Sequence, residues 1–98
     1  MKNNGDESLL KDVLHDFLNT REVRQKYNEV RLRQAWLEVT GVTAERYTTQ
    51  VTLKKNGVLR VDISSAPLRQ DLVFSRTSLI AQLNVAVGEA LVKELEIG

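Results

Sequence analysis

The 98-residue chain has no cysteine, which excludes disulfides, thiol chemistry and thiolate metal sites. Its single histidine, His15, cannot build a zinc site of the common kinds without cysteine beside it. It also falls on the polar side of its segment, where a solvated residue is expected. The five glycines stand at 5, 41, 57, 88 and 98, never close together, so no glycine-rich phosphate loop exists. Serines 64, 65, 75 and 78 have no base suggested beside them, and the acidic residues are spread as solvated charges. No catalytic residue, metal or cofactor is expected. The N-terminal stretch MKNNGDESLL lacks an apolar core, and no apolar run approaches the length of a membrane span. The chain therefore reads as cytoplasmic, with no membrane partner.

What is present suffices for one core: hydrophobic residues make up 42% of the chain, and residues 1–98 read as a single domain with an N-terminal arm over 1–6. The net charge of +1 argues for no partner, but its distribution does more. Both ends are acidic, and residues 21–88 keep 11 of the 14 basic residues against 6 of the 13 acidic ones. A moderately basic body permits nucleic acid without demanding it.

Asp6 and Ser8 can cap a first helix that carries Leu9, Leu10, Val13, Leu14, Phe17 and Leu18 at helical spacing. In TREVRQKYNEVRLRQAWLEVTG, Val23, Tyr27 and Val30 share one helical face while Leu32, Trp36 and Val39 share another. One straight helix cannot easily bury both, so a break is expected near Asn28, with Gly41 ending the second piece. Trp36, flanked by Leu32 and Val39, reads as core rather than as a base-stacking platform.

RYTTQVTLKKNGVLRVDIS is a β-hairpin whose register follows from its alternation. A two-residue Asn-Gly loop would set Leu53 opposite Arg60, mixing the buried face with the wet one. A three-residue loop, Lys55-Asn56-Gly57, sets Leu53 opposite Leu59 and Val51 opposite Val61, with Gly57 in the left-handed position of a type I turn with a G1 bulge. The outer face then shows Thr48, Gln50, Thr52, Lys54, Arg60 and Asp62. Glu94 and Glu96 join them from the last strand and offset the two cations.

NGVLRVDISSAPLRQDL changes period at its centre, from a strand into a helix. Pro67 suits position N1, which makes Ala66 the N-cap and leaves Leu68 and Arg69 short of an amide partner. Either a nearby serine folds back to satisfy them, or the joint holds an anion with Arg69. The helix is expected to run unbroken to Val87, with Gly88 behind it as cap and Arg76 snorkelling from its apolar arc. LVKELEI closes as a final strand over 91–97, and a strand, a crossover helix and a strand joining the same sheet should form a right-handed unit. The fold class is α+β, in the order α-α-β-β-α-β, with a three-stranded sheet and helices packed on one face.

AWLEVTG, RYTTQVTL, NGVLRVDISSAPLRQDL and LIAQLNVAVGEALVKELEI, in this order and spacing over about residues 7–97, resemble the DciA-type proteins, long catalogued only as a domain of unknown function. The resemblance implies a small KH-like domain, a part in loading the bacterial replicative helicase, and binding to DNA. Two features differ from what it implies. Many relatives carry a tail that contributes to helicase contact, whereas this chain stops at Ile97-Gly98. The GxxG clamp that KH domains set on a nucleic-acid backbone is also missing.

Two candidate sites stand out. The segment 21–33 holds Arg21, Arg24, Lys26, Arg31 and Arg33 against Glu22 and Glu29. This is either a soluble helical surface or, together with Arg69, a set of phosphate contacts of the kind that supply sequence-independent DNA affinity. Phe74, Ala81 and Val85 fall together opposite the apolar arc of the long helix, as a patch covered by the first helix or open to a partner. The expected function is non-enzymatic: an accessory protein of DNA replication that binds the replicative helicase and, through phosphate contacts, DNA. The alternative is a protein-interaction or dimerisation module, including a homodimer, with no nucleic-acid role.

Overall fold

The computed structural model describes residues 3–18 and 20–98, with side-chain surroundings for 9–17 and 20–98. Helix α1 spans Asn3–Leu18 and α2 spans Arg21–Tyr47. Strand β1 (Thr48–Leu53) and strand β2 (Val58–Ile63) flank a short turn. Helices α3 (Ala66–Phe74) and α4 (Arg76–Val87) lead to strand β3 (Glu94–Ile97). The architecture is α+β with four helices and one mixed sheet, in the order α-α-β-β-α-α-β. Strand β2 lies centrally, antiparallel to β1 and parallel to β3.

The hairpin register is the expected one, with Val51 opposite Val61 and Leu53 opposite Leu59. Every second residue of β2 is buried, and Leu59, Val61 and Ile63 meet Leu32, Ala35 and Trp36 of α2 and Leu79 and Leu83 of α4. Full burial of one such aliphatic side chain stabilises by about 1.5–3 kcal/mol, so this inner face carries the fold. Trp36 is 2% exposed and its Nε1 donates to Thr48 Oγ1 at 3.0 Å, which places it in the core.

Several details depart from the sequence reading. The turn keeps its three residues, and Gly57 has a positive φ of 76°, but Asn56 is left-handed as well (φ 64°, ψ 26°). The turn is therefore not the expected type I. A bulge between Thr48 and Gln50 turns Thr48 inward toward Trp36, off the outer face.

No break occurs near Asn28: the helix continues, and Tyr27 and Val30 simply stay exposed. The interruption falls at Gly41, whose φ of 89° and ψ of 178° lie in a region open essentially to glycine alone. The helix after Pro67 is not continuous either. Ser75, with φ −97° and ψ 11°, separates α3 from α4, and Arg76, which begins α4, is exposed to solvent. Ser75, Thr77 and Ser78 are all modest helix formers, and a turn starting at Ser75 redirects the axis so that Leu79 and Leu83 reach the sheet.

Strand β3 is shorter than the expected 91–97. Residue 92, not 91 or 93, is the one fully inside, because Asn84 brackets it: Asn84 Nδ2 donates to Val92 O at 2.9 Å, and Val92 N donates to Asn84 Oδ1 at 2.8 Å. Gly88 takes left-handed angles as the C-cap of α4, as expected.

Helix α1 stands away from this body. The radius of gyration is 17.1 Å and the long dimension 61 Å, against about 13 Å for the radius of a compact 100-residue domain. Leu9, Leu10, Val13, Leu14 and Phe17 are all exposed along it. The expected caps, Asp6 and Ser8, and the expected arm over 1–6 concern side chains outside those described, although the helix itself begins at Asn3.

Candidate nucleic-acid interface

The cations of the expected basic segment sit in different surroundings along α2. Glu29 gathers Lys26 at 3.2 Å and Arg33 at 3.6 Å, so both cations are partly offset on the helix surface. Arg31 is engaged more completely. Its guanidinium donates to Glu89 Oε2 at 2.7 Å, to Asn28 Oδ1 at 3.1 Å and to the Val87 carbonyl at 2.6 Å, and it lies 5.4 Å from the centre of the Tyr27 ring. Glu89 is far away in sequence, so this engagement could not be read from helical spacing.

Arg21 and Arg24 are exposed in the first turns of α2 and line a cleft of about 370 Å³ against the β1–β2 turn. Lys54, Asn56 and the backbone of Gly57 form the opposite wall, and no acidic residue lines the cleft. The positive end of the α2 dipole adds to the potential there. Cations in a first turn cost helix stability, and this arrangement concentrates positive charge where an anion can reach it.

On the outer face of the sheet the expected neutralisation is present. Lys54 pairs with Glu96 at 2.9 Å and Arg60 with Asp62 at 2.9 Å, with Glu96 at 3.9 Å from Arg60 as well. The face carries no aromatic side chain among these residues, which leaves it without a stacking surface.

At the strand-to-helix joint a serine folds back onto the helix start. The N-cap is Ser65 rather than Ala66, and its hydroxyl accepts from Leu68 N at 3.4 Å. Ser64 Oγ donates to the Tyr47 carbonyl at 3.2 Å. Arg69 turns back to donate to the Ile63 carbonyl at 2.8 Å and is half-buried, so it is not brought together with Arg21 and Arg24.

The patch expected from Phe74, Ala81 and Val85 is not under α1. Phe74 and Val85 are each 81% exposed and Ala81 is exposed too. Among the described residues no group of three or more His, Asp or Glu is placed to hold a metal, and no helix is long and apolar enough to cross a membrane.

The sequence reading missed Tyr27, Lys54 and Asn56 as neighbours of the arginines. A signal existed for Tyr27, an aromatic three residues after Arg24 and four before Arg31, but its apolar-face partners pointed to burial.

The family model described as Dna[CI] antecedent, DciA, matches residues 9–97, nearly the whole chain. The chain belongs to the DciA family. That family is linked to DNA replication and helicase loading, with the replicative helicase as partner by its role. No curated protein and no solved structure matches the chain. The DciA assignment covers the helical segment with Arg21 and Arg24, the hairpin and β3, so the cleft lies wholly inside the matched region.

Proposed function

We propose that this DciA-family chain is a non-enzymatic accessory protein of replication in the cytoplasm, which binds DNA through phosphate contacts and engages the replicative helicase. The observation that carries the DNA half is the cleft between the start of α2 and the β1–β2 turn, lined by Arg21 and Arg24, with Lys54, itself paired with Glu96, on the opposite wall. Arginine and lysine side chains that neutralise phosphates supply most sequence-independent affinity for DNA. Lys26 and Arg33 form a weaker outer ring, since Glu29 draws on both. The KH-like fold is taken from the family. Without the GxxG backbone clamp of KH domains, the phosphate contacts fall to side chains.

Salt-titrated binding to a random-sequence DNA tests this reading. Affinity is expected to be weak, insensitive to sequence and steeply salt-dependent, with log K falling by about 0.7 to 0.9 per phosphate contact for each unit of log salt. Charge reversal at Arg21 and Arg24 flattens the slope by about two contacts. Charge reversal at Arg60 does much less, because Asp62 and Glu96 already offset it. No binding at low salt, or a greater effect from Arg60, removes the cleft from the function.

A second reading is favoured by Phe74 and Val85, whose exposure suits a protein partner. In that reading the chain is an interaction module and the helicase is its partner. Capture of purified helicase by a chain that binds no DNA would select it.

A further inference from the structure

We infer that Tyr27 is a base-stacking residue, which gives the α2 cleft a preference for single-stranded over duplex DNA. This deepens the DNA reading above and rests on it. Tyr27 is 58% exposed, whereas on the same helix Trp36 lies in the core and Tyr47, at the far end, is less exposed. One face of the Tyr27 ring is occupied by the Arg31 guanidinium, 5.4 Å from the ring centre. Arg31 itself is fixed by Glu89, Asn28 and the Val87 carbonyl, at 2.7, 3.1 and 2.6 Å. It cannot leave for a phosphate without giving up all three bonds, so it serves as a rigid backing that orients the ring. A ring backed on one face presents the other as a flat apolar surface, the form that an unstacked base recognises.

The surroundings complete the site. Tyr27 shares a cleft of about 390 Å³ with Arg24, Asn28, Arg31 and Glu89. Arg24 and Asn28 also line the phosphate cleft toward the β1–β2 turn. The two clefts therefore meet at these residues. A strand whose phosphate lies beside Arg24 has its neighbouring base directed to Tyr27. Duplex DNA offers the arginines its phosphates but keeps its base faces stacked inside, so the ring adds nothing there.

Fluorescence anisotropy with labelled oligo-dT and with a duplex of matched length tests the inference. Tyr27→Ala is expected to weaken oligo-dT binding about tenfold, while the duplex affinity and the oligo-dT salt slope stay unchanged. Tyr27→Phe retains wild-type binding, since stacking needs the ring and not the hydroxyl. In the wild-type protein, the NMR resonances of the Tyr27 ring move upfield when oligo-dT is added, a readout that needs no variant. Unchanged oligo-dT affinity, an equal loss on both DNAs, or an unmoved ring resonance overturns the stacking role and leaves the phosphate cleft standing. Absence of binding to either DNA by the wild type overturns both.

Discussion

The carboxylate of Glu29, on α2, accepts the backbone N–H of Leu53, the last residue of β1, at 2.9 Å. Gln25 Nε2 donates to the carbonyl of the same residue at 3.0 Å, so α2 ties down both polar groups of Leu53 on an edge strand. An edge strand with free backbone groups is a template for unwanted pairing, and this contact closes it at the end nearest the basic cleft.

Glu29 also makes stability depend on pH. Burial works to raise the pKa of its carboxyl, but the Leu53 N–H, Lys26 and Arg33 together outweigh burial and hold it below the ordinary glutamate value. A group lowered in the folded state stabilises above its unfolded pKa, and that contribution is lost as pH falls through the lower, folded value. Urea midpoints of the wild type and Glu29→Gln, measured across the acid range, should differ most near neutrality and converge as pH falls. Glu29→Ala, which also removes the acceptor for Leu53, costs about 1.5–3 kcal/mol. A gap that persists unchanged into acid would assign the effect to packing instead.

Two glycines test different sources of strain. Gly57 has a φ of 76°, and a Cβ there would sit 3.0 Å from both the Leu91 carbonyl oxygen and Lys93 Cγ. Gly41 has a φ of 89° with open space around it. Gly57→Ala is expected to cost more than about 1 kcal/mol, through angles and crowding together. Gly41→Ala should cost about 1–3 kcal/mol through the backbone alone. Thermal melts of the two variants check this. An unchanged midpoint for Gly57→Ala would contradict the turn geometry.

Arg31 is expected to matter for stability rather than for phosphate. Arg31→Ala breaks the bridge from α2 to Glu89 and the Val87 carbonyl at the end of α4, and should lower stability by about 1 kcal/mol. The salt slope of DNA binding should stay where it was. A flattened slope would return Arg31 to the phosphate contacts.

Phe74→Asp addresses the partner. At 81% exposure, Phe74 has little packing to lose, so stability should change by no more than about 0.5 kcal/mol. Capture of purified replicative helicase by the immobilised chain should fall sharply. Full capture by a folded variant would remove this patch from the interface.

Local pattern in the sequence carried a good part of the fold. The period-two alternation of Val51, Leu53, Leu59 and Val61 allowed one register, because a slip by one residue exchanges the wet and dry faces. Gly88 as a helix end and Trp36 in the core follow from equally local chemistry, whereas the neutralised outer sheet also needs Glu96 brought back beside Lys54 by β3. The basic segment 21–33 was legible as well, but not the surroundings of its cations. Arg31 finds Glu89 and Tyr27 finds an open cleft only when α4 is packed against α2. The same limit explains the helices. Periodicity says which residues share a face, but whether anything covers that face depends on elements far away in the chain. Hence Tyr27, Val30, Phe74 and, on α1, Leu9, Leu10, Val13, Leu14 and Phe17 remain exposed, and the axis turns at Ser75 to bring Leu79 and Leu83 to the sheet. Burial is a property of the assembled fold, and only the tertiary structure decided it.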